Sequence, residues 1–372
     1  MSKKTPVSQL KAALIKSGVT APVESSFDEV VRLIQQSHQR AYQAVNSELI
    51  NLYWLVGKYI SQRIDSEGWG KGTIVALAAF IQRAQSGIRG FSPQNLWRMR
   101  QFYDTYRADP KLSTMVRALP WSSNLHILNK AKLPEEREFY LRMATRNRWP
   151  VREVARQIKA SLFERSVLHP AKLSTTLREV HPQAADFFKD SYIFEFLGLP
   201  PDHSEADLHT GLLRNLGRMI TELGRDFCFI GSEYPVQVGG RDFALDLLFF
   251  HRGLNCLVAI ELKVDEFQPE HLGKLEFYLE ALDRDVRKSH ERPSIGLLLC
   301  AGKDTEVVEY ALSRSVSPAL IAEYQAMLPA KSLLRAKLHE LYQRLALPRR
   351  DPPSTTPSAP KRRKHSRSAR HT

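Results

Sequence analysis

Long apolar segments are missing from the sequence, and no run of eighteen or more apolar residues occurs among its 372 residues. The first seven residues also lack the apolar core of a secretory signal. A helix needs about 20 predominantly apolar residues to cross a membrane, so we expect no membrane partner. Because 43% of the residues are hydrophobic, the chain can still bury the cores of two ordinary domains.

Cysteine is scarce as well. The three cysteines, Cys228, Cys256 and Cys300, lie in apolar runs without C-x-x-C spacing and without histidines at zinc-binding intervals. This pattern excludes a disulfide framework and a zinc site of the usual spacing. It predicts buried, reduced thiols and a cytoplasmic location.

Two common motifs are also absent. No G-x-S-x-G occurs, so a serine hydrolase with a nucleophile elbow has no support. The glycine-rich segment from Gly68 to Thr73 lacks both the spacing of a phosphate-binding loop and a preceding strand. We therefore do not expect nucleotide binding there.

Positive charge, in contrast, is in excess. The formal net charge is +14 and the isoelectric point is about 9.7. Such a surface attracts polyanions, and DNA is the partner that we expect. About half of the excess lies in residues 349–372, where eight Lys and Arg accompany one Asp. We expect this low-complexity tail to be disordered and to bind DNA without sequence preference.

The first half of the chain shows the apolar spacing of helices. Between Phe27 and Ile64 apolar residues recur at helical intervals without proline, which predicts one long helix or two in tandem. Further helices are predicted at Thr73–Ala84, Ser92–Tyr106, Pro134–Arg146 and Pro150–Glu164. We therefore expect a flexible N-terminus at residues 1–26 and an all-helical, helix-turn-helix-like domain at residues 27–167, which binds DNA or protein.

The helix that begins at Ser92 and Pro93 has two different faces, and these two residues suit its N-cap and first turn. The residues expected to face the core are Leu96, Met99, Tyr103 and Tyr106. Gln94, Arg98 and Gln101 then lie on the outer surface, where they suit contacts with DNA. An ordinary solvated face is an equal alternative.

The second half alternates between strands and helices. Residues 168–190 are predicted to be a linker, followed by a helix from Ser204 to Leu223. Strands are predicted at Phe227–Val238, Phe243–His251, Cys256–Val264, Ser294–Cys300 and Ala319–Tyr324, and helices at Pro269–Lys288 and Asp304–Leu312. This order predicts a three-layer α/β/α sandwich with a mixed sheet at residues 191–330, then a C-terminal helix at residues 331–348.

Charged residues interrupt two of these apolar strands. Asp246 lies in the second predicted strand, and Glu261 and Lys263 lie in the third. Burying a carboxylate costs several kcal/mol unless it is paired or bound to metal. Because Glu261 and Lys263 are two residues apart, both side chains point to one side of the sheet. A short hairpin can place Asp246 beside them.

These three residues have the chemistry of a metal-dependent hydrolase. Two carboxylates supply the oxygen ligands that Mg²⁺ (or Mn²⁺) prefers, and such an ion polarises a phosphate and activates water. Lys263 would orient that water or offset charge that develops on the phosphate. A buried structural ion pair is the alternative.

Asp246, a hairpin and then Glu261-Leu262-Lys263 resemble the PD-(D/E)XK nuclease signature. The similarity extends to the YhcG-like bacterial family, which joins a helical N-terminal domain to a restriction-endonuclease-like core. The segments that carry it are Gly90–Tyr103, Leu119–Ser122, Phe243–His251 and Cys256–Lys263, and it covers roughly residues 27–325. The resemblance implies a DNA endonuclease acting in DNA processing, recombination, repair or defence. It also implies that Asp246, Glu261 and Lys263 are catalytic and that Asp246 and Glu261 hold Mg²⁺ (or Mn²⁺).

Two positions depart from the wider superfamily, whose helices often carry Glu or Gln beside the site. This chain has His209 and Lys274 there, which leaves a third metal ligand open, and we expect Lys274 to contact DNA. Glu222 is expected to be exposed near a helix end, and an additional metal ligand is the alternative. The alternatives are a non-catalytic nucleic-acid-binding or adaptor protein on a nuclease-like scaffold, and a helical module that recruits other DNA-processing proteins.

Overall fold

The computed structural model describes residues 21–346. The predicted basic tail at residues 349–372 and most of the predicted flexible N-terminus lie outside this range. Within it, no helix is long and apolar enough to cross a membrane. The protein divides into a helical half and a half built on a β-sheet, as the sequence predicts.

Among the described residues, the helical half contains eight α-helices and a short 3-10 turn. The helices are α1 (Ala21–Glu67), α2 (Lys71–Ala84), α3 (Pro93–Tyr106), α4 (Pro110–Met115), α5 (Trp121–Lys130), α6 (Pro134–Asn147), α7 (Val151–Lys159) and α8 (Leu162–Leu168), and the turn is Val116–Ala118. The long N-terminal helix is a single helix. The helix predicted from Pro150 to Glu164 is two helices, because Ser161 has a left-handed φ of 54°.

Helix α3 begins as predicted and packs closely on α1. The Ser92 side chain accepts a hydrogen bond from the backbone N of Asn95, and Pro93 occupies the first turn. A Cβ at Gly57 of α1 would lie 2.2 Å from the carbonyl oxygen of Met99, so the two helices can approach only because residue 57 is glycine. Phe102, not Tyr103 as predicted, completes the buried stripe of α3.

Within residues 21–346, six strands form one mixed sheet in the second half. They are β1 (Ser191–Ile193), β2 (Phe227–Val238), β3 (Arg241–His251), β4 (Cys256–Glu266), β5 (Arg292–Gly302) and β6 (Ala319–Gln325). Their order is β1-β6-β5-β4-β3-β2, parallel from β1 to β4 and antiparallel from β4 to β2. The predicted mixed sheet is confirmed, and the three-residue strand β1 is an addition to the prediction.

Helices cover both faces of the sheet. They are α9 (Thr175–Val180), α10 (Glu205–Arg214), α11 (Leu216–Leu223), α12 (His271–Ala281) and α13 (Thr305–Ser313). A further helix, α14 (Lys331–Ala346), follows the sheet. Helices α10 and α11 share one core with Val258 and Ile260 of β4, and α12 and α13 share another with Leu257 and Ala259. This alternation gives the predicted three layers. The predicted helix Ser204–Leu223 breaks at Asn215, and the one from Pro269 ends at Ala281 in a π-turn, Leu282–Val286.

Two connecting segments join the halves more closely than the sequence predicts. Leu173, Leu177 and Phe188 are buried in the core of the sheet, so residues 168–190 belong to that core and do not form a free linker. After the sheet, α14 returns to the helical half, where Leu338 is buried in its core. Each half therefore contributes to the packing of the other.

A fully buried carboxylate, Glu222 of α11, lies at the junction of the two halves. Its Oε2 accepts hydrogen bonds from Arg156 Nη1 and Gln157 Nε2 of α7, both at 2.8 Å. Its Oε1 accepts from Lys189 Nζ at 3.1 Å and from the backbone N of Ile193 at 3.2 Å. The expectation of an exposed Glu222 is therefore wrong, because its partners come from segments distant in sequence.

Charge keeps Glu222 ionised despite its burial. Burial alone would raise the pKa of this carboxyl, but the charges of Lys189 and Arg156 outweigh that cost and lower the pKa to about 2 from its ordinary value of 4.5. The ionised carboxylate therefore ties α7 of the helical half to α11 and β1 of the sheet half.

We expect Glu222→Gln to lower the free energy of unfolding at pH 7 by about 3–5 kcal/mol, because Arg156 and Lys189 lose their buried counter-charge. Since the folded pKa is depressed, the stabilisation is complete above pH 4.5 and is lost as the pH falls toward 2. The difference between variant and parent, measured by denaturant unfolding, should therefore shrink over this range. The exposed Glu179→Gln is the control. An equal difference at pH 3 and pH 7 would contradict the assignment.

Candidate active site

Strands β3 and β4 form the predicted hairpin, and it brings Asp246 to β4. His251 pairs with Cys256 at its closed end, where His251 Nδ1 accepts a hydrogen bond from the backbone N of Leu254 at 3.0 Å. At the open end, Asp246 Oδ2 accepts a hydrogen bond from the backbone N of Leu262 at 2.7 Å. The half-buried Asp246 carboxylate therefore lies directly beside the segment that carries Glu261 and Lys263.

Glu261 and Lys263 share one side of β4, as predicted, while Ile260 and Leu262 are buried in the core on the other side. The Glu261 side chain is fully buried. Its Oε1 lies 3.4 Å from Lys263 Nζ, and its buried Oε2 has no hydrogen-bond partner in the part of the chain that the structure describes. The sheet thus holds a carboxylate oxygen with unused acceptor capacity.

Helix α12 covers this carboxylate. Lys274 Nζ donates a hydrogen bond to Glu261 Oε1 at 2.5 Å, and it lies 5.6 Å from the centre of the Tyr278 ring. The Tyr278 hydroxyl donates to the Ala244 carbonyl oxygen at 2.6 Å, which holds α12 against β3. Lys274 therefore neutralises part of the buried charge, a contact that the sequence did not predict.

A further carboxylate, Glu205, reaches the site and was missed by the sequence analysis. It is the first residue of α10, whose N-cap Ser204 forms a capping box with Asp207. Glu205 Oε1 and Oε2 lie 3.1 and 3.3 Å from Lys263 Nζ, which also donates to the Leu262 carbonyl oxygen at 2.8 Å. The capping box was the available signal, because it marks where α10 begins.

His209 lies one turn further along α10, near Asp246 but not on its carboxylate. Its Nε2 is 3.2 Å from the backbone carbonyl oxygen of Asp246. An imidazole N–H that donates to this oxygen would support the backbone of β3. His209 therefore contacts the backbone of Asp246 and not its carboxylate.

The pKa of Glu261 is raised above its ordinary value. Burial is the largest cause and the nearby charge of Asp246 the second, and Lys274 and Lys263 offset them only in part. Glu222, in contrast, is stabilised in its charged form. The environment of Glu261 therefore disfavours its charge, which is typical of a functional site more than of a structural ion pair.

The two carboxylates fit a hard divalent cation. Asp246 and Glu261 could provide oxygen ligands from neighbouring strands, and among the described residues the buried Oε2 of Glu261 is a free acceptor. Among residues 21–346 no group of three or more His, Cys, Asp and Glu side chains is arranged to hold a metal. An ion here would therefore take its remaining ligands from water or from substrate.

The residues predicted to contact DNA divide between two places. Lys274 lies at the carboxylates. Gln94 and Gln101 are exposed and Arg98 is half-buried on α3, and within the described residues no hydrogen bond or ion pair joins these three side chains to β3 or β4. The structure does not bring them to the carboxylates.

A mixed sheet between helical layers, with an aspartate on β3 and Glu-x-Lys on β4 of one hairpin, defines the PD-(D/E)XK class of nuclease folds. Comparison with family models agrees, because residues 185–339 match the YhcG PDDEXK nuclease domain and residues 29–165 match the DUF1016 N-terminal domain. The chain therefore joins the two domains that these models describe, a YhcG PDDEXK nuclease domain after a DUF1016 N-terminal domain.

One relative extends over nearly the whole chain. The protein named Putative nuclease YhcG of Escherichia coli (strain K12) is 29% identical over 362 residues, which cover 87% of this chain and 96% of that one. The crystal structure of a repair endonuclease from Pyrococcus abyssi is similar over a region that covers 35% of this chain and 49% of that chain. The identity is 17% and the TM-score is 0.23.

We expect Glu261→Gln to raise the free energy of unfolding at pH 7 in EDTA, the opposite of Glu222→Gln. A raised folded pKa means that the stability of the parent falls as the pH rises through the ordinary pKa of 4.5 toward the folded value. The amide avoids this penalty while it keeps the shape. Denaturant unfolding of both variants at pH 4 and pH 7 measures the effect, and a less stable Glu261→Gln at pH 7 would contradict it.

Proposed function

We propose that the protein is a metal-dependent DNA endonuclease whose catalytic residues are Asp246, Glu261 and Lys263. The observation that carries the proposal is the convergence of the two carboxylates, one oxygen of which is buried without a partner, beside Lys263. The match of residues 185–339 to the YhcG PDDEXK nuclease domain supports the same chemistry. We place this activity in the cytoplasm, in DNA processing, recombination, repair or defence.

Mg²⁺ or Mn²⁺, held by Asp246 and Glu261, would polarise the scissile phosphate and lower the pKa of the attacking water. Lys263 has a separate role. Its ammonium is held by both oxygens of Glu205 and by the Leu262 carbonyl oxygen, so it is positioned to orient the water or offset charge on the phosphate. When DNA binds, Lys274 would exchange its ion pair with Glu261 for an ion pair with a phosphate of the DNA.

The outer face of α3 is proposed to contact DNA through Gln94, Arg98 and Gln101. Gln94 and Gln101 are exposed, and Arg98 has no carboxylate within 4 Å among the described residues. Arg100 on the same helix instead pairs with Asp104 at 3.2 Å. Arg98 is thus available for phosphate. The helical half would bring the substrate, or other DNA-processing proteins, to the sheet half.

A non-catalytic nucleic-acid-binding or adaptor protein is the second candidate. It is favoured by one observation, the ion pair between Lys274 and Glu261, which supplies the buried carboxylate with a partner from the protein itself. Such a protein would bind DNA without cutting it. Cleavage assays separate the two candidates.

We expect Asp246→Asn and Glu261→Gln each to lower DNA cleavage by at least about 100-fold while DNA affinity stays nearly unchanged, since each removes charge from the metal site only. Lys263→Ala should be equally inactive and still bind the metal, as measured by isothermal titration. The assay uses supercoiled, linear, branched and single-stranded DNA with Mg²⁺, Mn²⁺ or EDTA. Asp242→Asn, an exposed change on the same strand, should cleave normally. A fully active Glu261→Gln would refute the assignment.

We expect Arg98→Ala to weaken DNA binding by on the order of 1 kcal/mol, to a similar extent for unrelated sequences, because a phosphate contact carries no sequence information. Fluorescence anisotropy with two unrelated duplexes measures the loss. The exposed Arg314→Ala is the control. A loss confined to one sequence would instead indicate a base contact.

A further inference from the structure

We infer that the junction of the two halves forms a track for the phosphodiester backbone of a DNA duplex. We call it the junction trough and define it by Arg142, Arg146, Arg152, Arg218 and Arg225. The inference rests on the proposed function and adds a binding surface to it, which both halves of the chain contribute and which no residue of α3 lines.

The trough consists of two adjoining concavities. The larger, about 420 Å³, is lined by Arg142 and Arg146 of α6 and by Arg225, which follows α11. The smaller, about 330 Å³, is lined by Arg152 of α7 and Arg218 of α11. Thr221 lines both, so the surface continues from one to the other across the junction.

The charges along this surface leave the arginines available. None of the five has a carboxylate within 4 Å among residues whose side chains the structure describes. Six carboxylates also line the trough, and all but Asp186 are paired with other cations. These pairs are Asp190 with Lys303, Asp226 with Arg252, and Glu153, Glu195 and Glu222 with Arg156.

Two of the guanidinium groups are held in place by neutral partners. Arg146 donates to the Asp186 carbonyl oxygen at 3.0 Å and lies 4.2 Å from the centre of the Phe187 ring. Arg225 donates to the Arg146 carbonyl oxygen at 3.1 Å. Contacts with carbonyl groups and a ring orient a guanidinium without neutralising it, and its remaining N–H groups can bind phosphate.

A duplex is the ligand that matches this distribution. The arginines come from four segments, α6, α7, α11 and the residues after α11, and they are distributed over both concavities. A single small anion would instead need cations that converge on one point. His251 lines the larger concavity and lies five residues beyond Asp246 on β3. That is roughly 17 Å along a strand, or about five base pairs of duplex. Asp246 and the part of the trough at His251 are therefore separated along β3 by a length that a short duplex spans.

The test uses the full chain with Glu261→Gln, so that binding is measured without cleavage. Arg142, Arg152, Arg218 and Arg225 are changed together to Gln, and the control changes Arg40, Arg83, Arg314 and Lys337 to Gln, which removes the same charge from exposed positions elsewhere. Affinity for a labelled duplex is followed by anisotropy over a series of salt concentrations, with thermal unfolding as the check on folding.

We expect the trough variant to bind about 10- to 100-fold more weakly at low salt, with a salt slope reduced by about 0.9 for each phosphate that the variant no longer neutralises. The control variant should retain most of the affinity and most of the salt slope. The pair Arg152→Gln and Arg218→Gln, both exposed, should give a part of the same loss if the fourfold variant does not fold. Equal losses in trough and control variants, or none in either, would overturn the inference.

Cleavage by the parent protein is scored separately, so the two proposals can fail independently. A parent that cuts DNA while the trough variant binds normally would overturn the trough alone. A parent that cuts no DNA while the trough variant loses binding would support the trough and overturn the nuclease activity.

Discussion

The structure depends on the charge of one buried side chain, Glu222, between the helical half and the sheet half. Its two oxygens accept hydrogen bonds from α7, from Lys189 and from β1. A buried ion cannot lose a partner without a large cost, so these contacts fix the two halves to each other. The relative position of α3, the junction trough and the carboxylates on β3 and β4 follows from that.

Glu222 and Glu261 are both fully buried glutamates, yet they are held in opposite ways. Two strong cations lower the pKa of Glu222, whereas burial and Asp246 raise the pKa of Glu261 against two lysines. The first arrangement stabilises the fold. In the second, the negative charge of the carboxylate is unfavourable, and a bound cation would reduce that cost. The contrast separates Glu222 from the proposed catalytic Glu261 by charge environment and not by burial.

The carboxylate pair could be predicted because its causes are local. Strand alternation puts Glu261 and Lys263 on one side of β4, and a short hairpin returns Asp246 to them. Glu222 could not, since Arg156 lies 66 residues away and helical periodicity does not show such a partner. For the same reason residues 168–190, whose pattern is weak, were expected to be a linker. Glu205 was missed because a capping box gives the start of α10 and not its direction.

Lys274 shows how a departure from a family pattern acquires a physical meaning in three dimensions. A glutamate at this position would be a third carboxylate beside Asp246 and Glu261, and it would add to the repulsion that already raises the pKa of Glu261. The lysine does the opposite. Burial lowers its own pKa, but the hydrogen bond and charge of Glu261 outweigh that and raise it, so Lys274 stays charged. A lysine in place of a glutamate at position 274 therefore removes a possible metal ligand and compensates the buried charge of Glu261.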